Sequence, residues 1–283
     1  MLVTRALVER LEAVETETVV RLVDALARTA GDPVTEWQAF GRGALVATGA
    51  GRYVNRAVGT TVDGLSVGRV AELVDFYQVR GLPPAVQLCS WAPGQTVDSL
   101  RHHGFLPVSS RSVLAGRVQE LGDSARAALG LRVIEVDDRT AAAARDVMAS
   151  EAGTDRMTSD EFMTADRAGE GTTQLVALLH DEPVGCGSVT VVGRTAWLGA
   201  AATVPTARRR GVQAALVRHR LRTVRGYGCD LVGATASTGS TSARNLQRLG
   251  FVLVQDQWVV QQAPARGAAA AAVAGRPGPC APL

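Results

Sequence analysis

The residue pattern predicts a mixed α/β protein in which one fold is used twice. Three observations point there. Helical and β-type stretches alternate along all 283 residues. Both halves close in the same order: helix, glycine, strand, short helix, Gly-Phe, strand. The spacing also matches, with 23 positions from Gly81 to Gly104 and 22 from Gly228 to Gly250. Four ordered elements at matched spacing read as duplication; a generic α/β rhythm is the alternative. The length suits two domains of ~100–200 residues or one large one, and a hydrophobic content of 46% is enough for a real core.

In the first half, Leu7 to Leu26 reads as helix, because Leu7, Leu11 and Val14, then Val19, Leu22, Val23 and Leu26, keep three- and four-residue spacing. Ala44 to Thr48 and Ala57 to Val62 are short β-type runs. Val70, Leu73, Val74 and Tyr77 mark a second helix, which Gly81 stops. Ala85 to Cys89 is a buried-type strand, Thr96 to His103 a short helix, and Val108 to Val118 a last strand.

The second half repeats that plan. Leu131 to Val136 is a strand; Ala141 to Met148 and Ser159 to Arg167 are helices. Gln174 to Leu179 and Val184 to Val192 alternate as a hairpin, with His180, Asp181, Glu182 and Pro183 at its turn. Thr195 to Val204 is a strand. Ala214, Val217, Leu221 and Val224 make one apolar stripe on a long helix that Gly228 follows. Asp230 to Thr235 is a strand, Thr241 to Leu249 a short helix, and a final strand runs to about Gln262. The domains are therefore expected at 1–120 and 131–262, joined by a linker at 121–130. An Ala/Pro/Gly-rich tail at 263–283 lacks periodicity and is expected to be disordered.

Composition excludes several function classes. All 30 basic residues are arginine. A Walker-type phosphate loop and a Schiff-base nucleophile both need lysine. Cys89, Cys186, Cys229 and Cys280 share no C-x-x-C spacing, so no zinc or redox motif and no metal is expected. The first three read as buried, inert thiols. The net charge of +3 is too small to imply a nucleic-acid or membrane partner. The N-terminus, with Glu9, Glu12, Glu15 and Glu17, does not read as a signal peptide. With no long apolar run for a membrane span, a cytoplasmic protein is the expectation.

Ala201 to Leu216 (AATVPTARRRGVQAAL) is the most informative stretch. A strand passes through Pro205 into a loop where Arg208, Arg209, Arg210 and Gly211 open the long helix. The first N–H groups of a helix lack internal partners, and the helix dipole adds positive potential there. Gly211 removes a side chain where a ligand must come close. The pattern is that of an anion site suited to a pyrophosphate. A solvated basic turn is the alternative for the arginines alone.

These residues resemble the acetyl-CoA loop of the GNAT superfamily (Gcn5-related N-acetyltransferases), Gln/Arg-x-x-Gly-x-Gly/Ala. Arg208 and Gly211 match its first and fourth positions; Gln213 stands where Gly or Ala is usual. Ser242-Ala243-Arg244-Asn245 followed by Leu249-Gly250-Phe251 resembles the family's later motif, about 35 residues on. The resemblance covers about Leu131 to Gln262. It implies tandem GNAT folds, each a mostly antiparallel sheet with a splayed central strand pair flanked by helices. It also implies that the amides of Arg209, Arg210, Gly211, Val212, Gln213 and Ala214 bind the pyrophosphate of acetyl-CoA. The strand end at Ala201 and Thr203 would pair with the pantetheine arm, and Asn245 would contact the coenzyme. The first half resembles the fold only in outline: its equivalent loop, Val62 to Gly68, lacks the motif, and Asp63 would repel a pyrophosphate.

Acyl transfer to an amine needs a neutral amine, a polarised carbonyl and a stabilised thiolate. Many family members place a tyrosine acid where this chain has Leu246, and a carboxylate on the fourth strand, which Thr195 to Thr203 lacks. Glu151 is the candidate base, with Asp155 beside it and Asp160 and Glu161 less favoured; each is also explained as a solvated carboxylate. Two functions follow. One is an acetyl-CoA-dependent N-acyltransferase acting on a small amine. The other is a non-catalytic acyl-CoA sensor. Nucleic-acid binding lacks a broad basic patch. The duplication further implies either a pseudo-dimeric monomer or a homodimer.

Overall fold

The computed structural model describes residues 1–31, 34–52, 54–122, 129–150 and 156–264. Most of the expected linker and nearly all of the tail, with Cys280, lie outside them. The chain opens with α1 (Arg5–Ala30). Thr4 caps it, its side chain accepting from the Leu7 N–H, and Gly31 ends it in the left-handed conformation. Next come β1 (Glu36–Phe40), β2 (Gly43–Ala47), β3 (Arg56–Val58), α2 (Val67–Gln78), β4 (Ala85–Cys89), α3 (Gly94–His102) and β5 (Phe105–Arg117). The second half supplies β6 (Leu131–Glu135), α4 (Ala141–Ala149), α5 (Arg156–Ala168), β7 (Thr172–Leu179), β8 (Glu182–Val192) and β9 (Thr195–Thr203). It ends with α6 (Val212–Gly226), β10 (Leu231–Ser237), α7 (Thr241–Arg248) and β11 (Val252–Gln262).

Among the described residues eleven strands form one sheet, in the order β1-β2-β3-β4-β11-β5-β10-β9-β8-β7-β6. The two halves exchange their last strands. β11 lies between β4 and β5 of the first half, while β5 lies between β11 and β10 of the second. The sheet is antiparallel except at β3–β4 and β9–β10. Each parallel pair flanks the helix that connects it, α2 in the first half and α6 in the second. The repeat read from the Gly-Phe endings is thus a repeat of topology.

The β9–β10 pairing runs only from Thr195↔Leu231 to Leu198↔Ala234. Beyond it the two strands separate, so β9 has a free edge. The other side of β9 is irregular at the same place. There Cys186↔Ala202 and Ser188↔Gly199 leave one extra residue on β9, a bulge at which Ala200 takes φ 44°.

Helices cover both faces. On one, Val217, Leu221 and Val224 of α6 pack with Ala243 and Leu246 of α7 over Leu198, Val232 and Leu114. Fully burying such side chains stabilises by about 1.5–3 kcal/mol each. Ala214 of the expected stripe is only half-buried, whereas Val212 and Leu216 turn to β7 and β8, so α6 buries two faces. On the opposite face α1 serves both halves. Val8, Leu11 and Val14 pack on Trp197 and Leu231 of the second half; Val19, Val23 and Leu26 pack with Val46, Val58 and Phe162.

Two local readings are corrected. β1 is a strand that the sequence pattern did not reveal, because Glu36 to Ala39 are exposed and show no alternation. The hairpin turn is only His180-Asp181, both left-handed, since Leu179 already pairs with Glu182.

Candidate functional site

β9 leaves the sheet at Thr203. A single 3-10 turn, Pro205–Ala207, redirects the chain so that Arg208, Arg209 and Arg210 lie exposed before α6. Arg209 sits at φ 64°, a conformation that costs a non-glycine residue on the order of 1–3 kcal/mol. Gly211 follows at φ 78°, and a Cβ there would meet nothing within 4 Å. Two constraints thus act on position 211: the backbone favours glycine, and the space above it is open. No side chain caps α6, whose first internal bond runs from the Ala215 N–H to Gly211 O. The N–H groups of its first turn are therefore available to an anion beside three arginines.

The equivalent helix of the first half is built differently. Ser66 caps α2, its Oγ accepting from the Arg69 N–H. The preceding loop borders a shallow recess lined by Glu9, Glu12, Asp63 and Arg42. A satisfied helix start beside carboxylates disfavours a pyrophosphate.

Ala201 and Thr203 lie on the free part of β9, both half-buried, and Arg208 donates through Nε to Thr203 O at 3.4 Å. An extended edge with unpaired backbone groups can hold an amide-bearing chain as an added strand does. Gln213 reaches α7: its Nε2 donates to Ser242 Oγ at 2.8 Å, and its Oε1 accepts from Asn245 Nδ2 at 2.7 Å. Asn245 also accepts from Arg248 at 2.9 Å. The residue where the motif usually has Gly or Ala thus ties the start of α6 to the second motif. Leu246 is 4% exposed within the α6–α7 core. It offers no proton.

The candidate acids and bases divide. Glu151 and Asp155 lie outside the described residues. Glu161 accepts from Arg52 of the first half at 2.6 Å, an ion pair joining the halves. Asp160 stands 4.0 Å from both Arg145 and Arg156. Cys89, Cys186 and Cys229 are buried thiols outside any disulfide; burial, then the Glu12 charge, pushes Cys89 up to about 12.

Two groups beside the bulge were not anticipated. Asp166 of α5 accepts from Gln174 Nε2 at 2.8 Å and from Ser188 Oγ at 3.2 Å. Burial pushes its carboxyl up to about 6. Arg220 of α6 is buried directly beneath β8 and β9. Its position, four residues after Leu216 on the apolar side of the helix, was the available signal.

Residues 140–251 match the model of the acetyltransferase (GNAT) family. The second half of this chain is a GNAT domain. The matched segment runs from the residue before α4 to Phe251 and contains the β9–α6 loop and Asn245. No curated protein matches in sequence. Among solved structures, a GCN5-related N-acetyltransferase from Kribbella flavida superposes with TM-score 0.68 at 14% identity, covering 92% of this chain and 97% of its own. A GCN5-related N-acetyltransferase from Sphaerobacter thermophilus gives 0.60 at 16%, covering 88% and 93%. A tandem GNAT protein from the clavulanic acid biosynthesis pathway gives 0.59 at 15%, covering 89% and 97%. At these identities the likeness is one of fold, and it extends the GNAT architecture over both halves. GNAT enzymes use acyl-CoA donors. The uncapped α6, the open space over Gly211 and the free β9 edge fit such a donor. Among the described residues no helix is long and apolar enough to cross a membrane.

Proposed function

We propose that the protein is an acyl-CoA-dependent N-acyltransferase that takes acetyl-CoA once per chain, in the second half, and acylates a small amine. The observation that carries this reading is the start of α6. Its first-turn N–H groups are uncapped, Gly211 opens the space above them, and the unpaired edge of β9 leads into them. The donor supplies an activated acyl group. Arg208, Arg209 and Arg210 and the amides to Ala214 hold its pyrophosphate. The β9 edge at Ala201 and Thr203 holds its pantetheine, and Asn245, fixed by Gln213, borders the coenzyme.

Chemistry then rests mainly on positioning, which can be worth about 7–11 kcal/mol. The neutral amine attacks the thioester carbon as the C–S bond breaks. A β9 N–H polarises the carbonyl, the amine proton passes to solvent or to a base such as Glu151, and the thiolate takes a proton from water. The second reading, an acyl-CoA sensor without turnover, draws on Leu246, a hydrocarbon side chain that cannot protonate the thiolate. CoASH release with acetyl-CoA and a panel of small amines separates them. Amine-dependent release supports the enzyme; tight acetyl-CoA binding without release for any amine supports the sensor.

A further inference from the structure

Arg220 is 2% exposed. Its Nη1 donates to Ser188 O at 3.1 Å and Gly199 O at 3.4 Å, and its Nε to Leu216 O of its own helix at 3.3 Å. Among the described residues no carboxylate pairs with it, and burial pulls its guanidinium down to about 10. Gly187 is shaped to it, since a Cβ there would lie 3.2 Å from Nη1. A buried ion without a counter-ion costs several kcal/mol, and a leucine or methionine would fill the same space without that cost. What the guanidinium does that a hydrocarbon cannot is satisfy carbonyls on two strands at once.

Those carbonyls stand at the edge of the bulge, beside the free part of β9. Ser188 and Gly199 are the last pair before the bulge, and Leu198 is the last β9 residue paired with β10. Arg220 donates to both carbonyls from the α6 side of the sheet, beside the bulge. We propose that Arg220 is a positioning residue for acyl transfer: it clamps the Ser188 and Gly199 carbonyls at the bulge and so fixes the unpaired β9 edge on which the donor's thioester is polarised. This rests on the reading of β9 and α6 as the donor site. The positive charge also lies behind the strand where negative charge develops on the carbonyl oxygen, which favours that charge in a site shielded from water. A misplacement of about 1 Å there costs on the order of a hundredfold in rate.

The test uses the full chain and acetyl-CoA labelled with carbon-13 at the carbonyl. Affinity is measured by calorimetry, and the carbonyl stretch of the bound thioester by isotope-edited infrared spectroscopy. Wild type should bind and shift the stretch to lower frequency than in water. Arg220→Met should bind within about threefold, because the pyrophosphate loop is untouched, while the stretch returns toward its free value. With a working amine, kcat should fall about ten- to a hundredfold with little change in KM for acetyl-CoA. Arg220→Lys, which keeps the charge but not the planar fork, should retain part of the shift; if Arg220→Met does not fold, this variant decides. A full wild-type shift in either folded variant would overturn the inference and leave the donor site standing. Failure of the wild type to bind acetyl-CoA would overturn both.

Discussion

Glu12 and Glu15 face the sheet from α1 into a buried polar seam. Glu12 Oε1 accepts from Gln255 at 2.6 Å and Gln257 at 2.5 Å; Glu15 accepts from Arg111 at 2.6 Å and from Gln87 and Gln257 at 2.9 Å. The residues come from α1, β4, β5 and β11, the strands at the centre of the exchange. Burial, then the Glu15 charge, pushes Glu12 up to about 7. The folded state therefore holds this proton more tightly than the unfolded state. Its contribution to stability is full below about pH 4.5 and is lost as pH rises to about 7. Glu12→Gln should remove that dependence and leave the protein more stable than wild type above pH 7, read from urea midpoints at pH 5 and pH 8. An unchanged difference between the two pH values would show that Glu12 does not carry the effect. Arg208 to Gly211 and Asn245 are legible in the sequence as candidates, because their motif is local. Glu12, Glu15 and Arg220 are not, because charge on a helix reads as solvent-facing. The one sign was spacing: Glu15 is four residues after Leu11, as Arg220 is after Leu216.

At the scale of elements, α1 is the part whose role was least visible. Its helical spacing is plain in Leu11, Val14 and Val19, but nothing local says that it crosses onto β9 and β10. The contact is close at Gly233. A Cβ there would lie 2.9 Å from Leu11 Cδ2 and nearer still to the Trp197 ring. Gly233→Ala should thus destabilise by about 1–3 kcal/mol, measured by urea unfolding with an unchanged m-value; a neutral result would mean that neither Trp197 nor α1 presses on β10. Strands with alternating or continuous apolar runs, such as β4, β7 and β8, were legible. β1 was not, because its outward residues carry no period. The splay of β9 from β10 was implied only through the family resemblance. The bulge that accompanies it lies beside Arg220 and Gly187, 33 positions apart in sequence.

Across the whole molecule, the exchange of β5 and β11 makes the halves interdependent. β10 completes its edge with β5, and β11 has only first-half neighbours. Ser112 Oγ bonds Asp256 across 144 positions at 2.7 Å. No local pattern encodes such a pairing; the matched Gly-Phe strands announced duplication, not exchange. Residues 121–262 alone should be insoluble or aggregated, because the fragment exposes the β10 edge and the apolar face that α1 covers on Trp197 and Leu231. A soluble, monomeric fragment with full acetyl-CoA affinity would show that the first half is not structural support. Titration calorimetry of acetyl-CoA against the full chain reads out whether a single donor site exists at the start of α6. The expected result is one site per chain, abolished in Gly211→Glu without loss of fold, because a carboxylate would meet the pyrophosphate at close range. Two sites per chain, or unchanged affinity in Gly211→Glu, would contradict it.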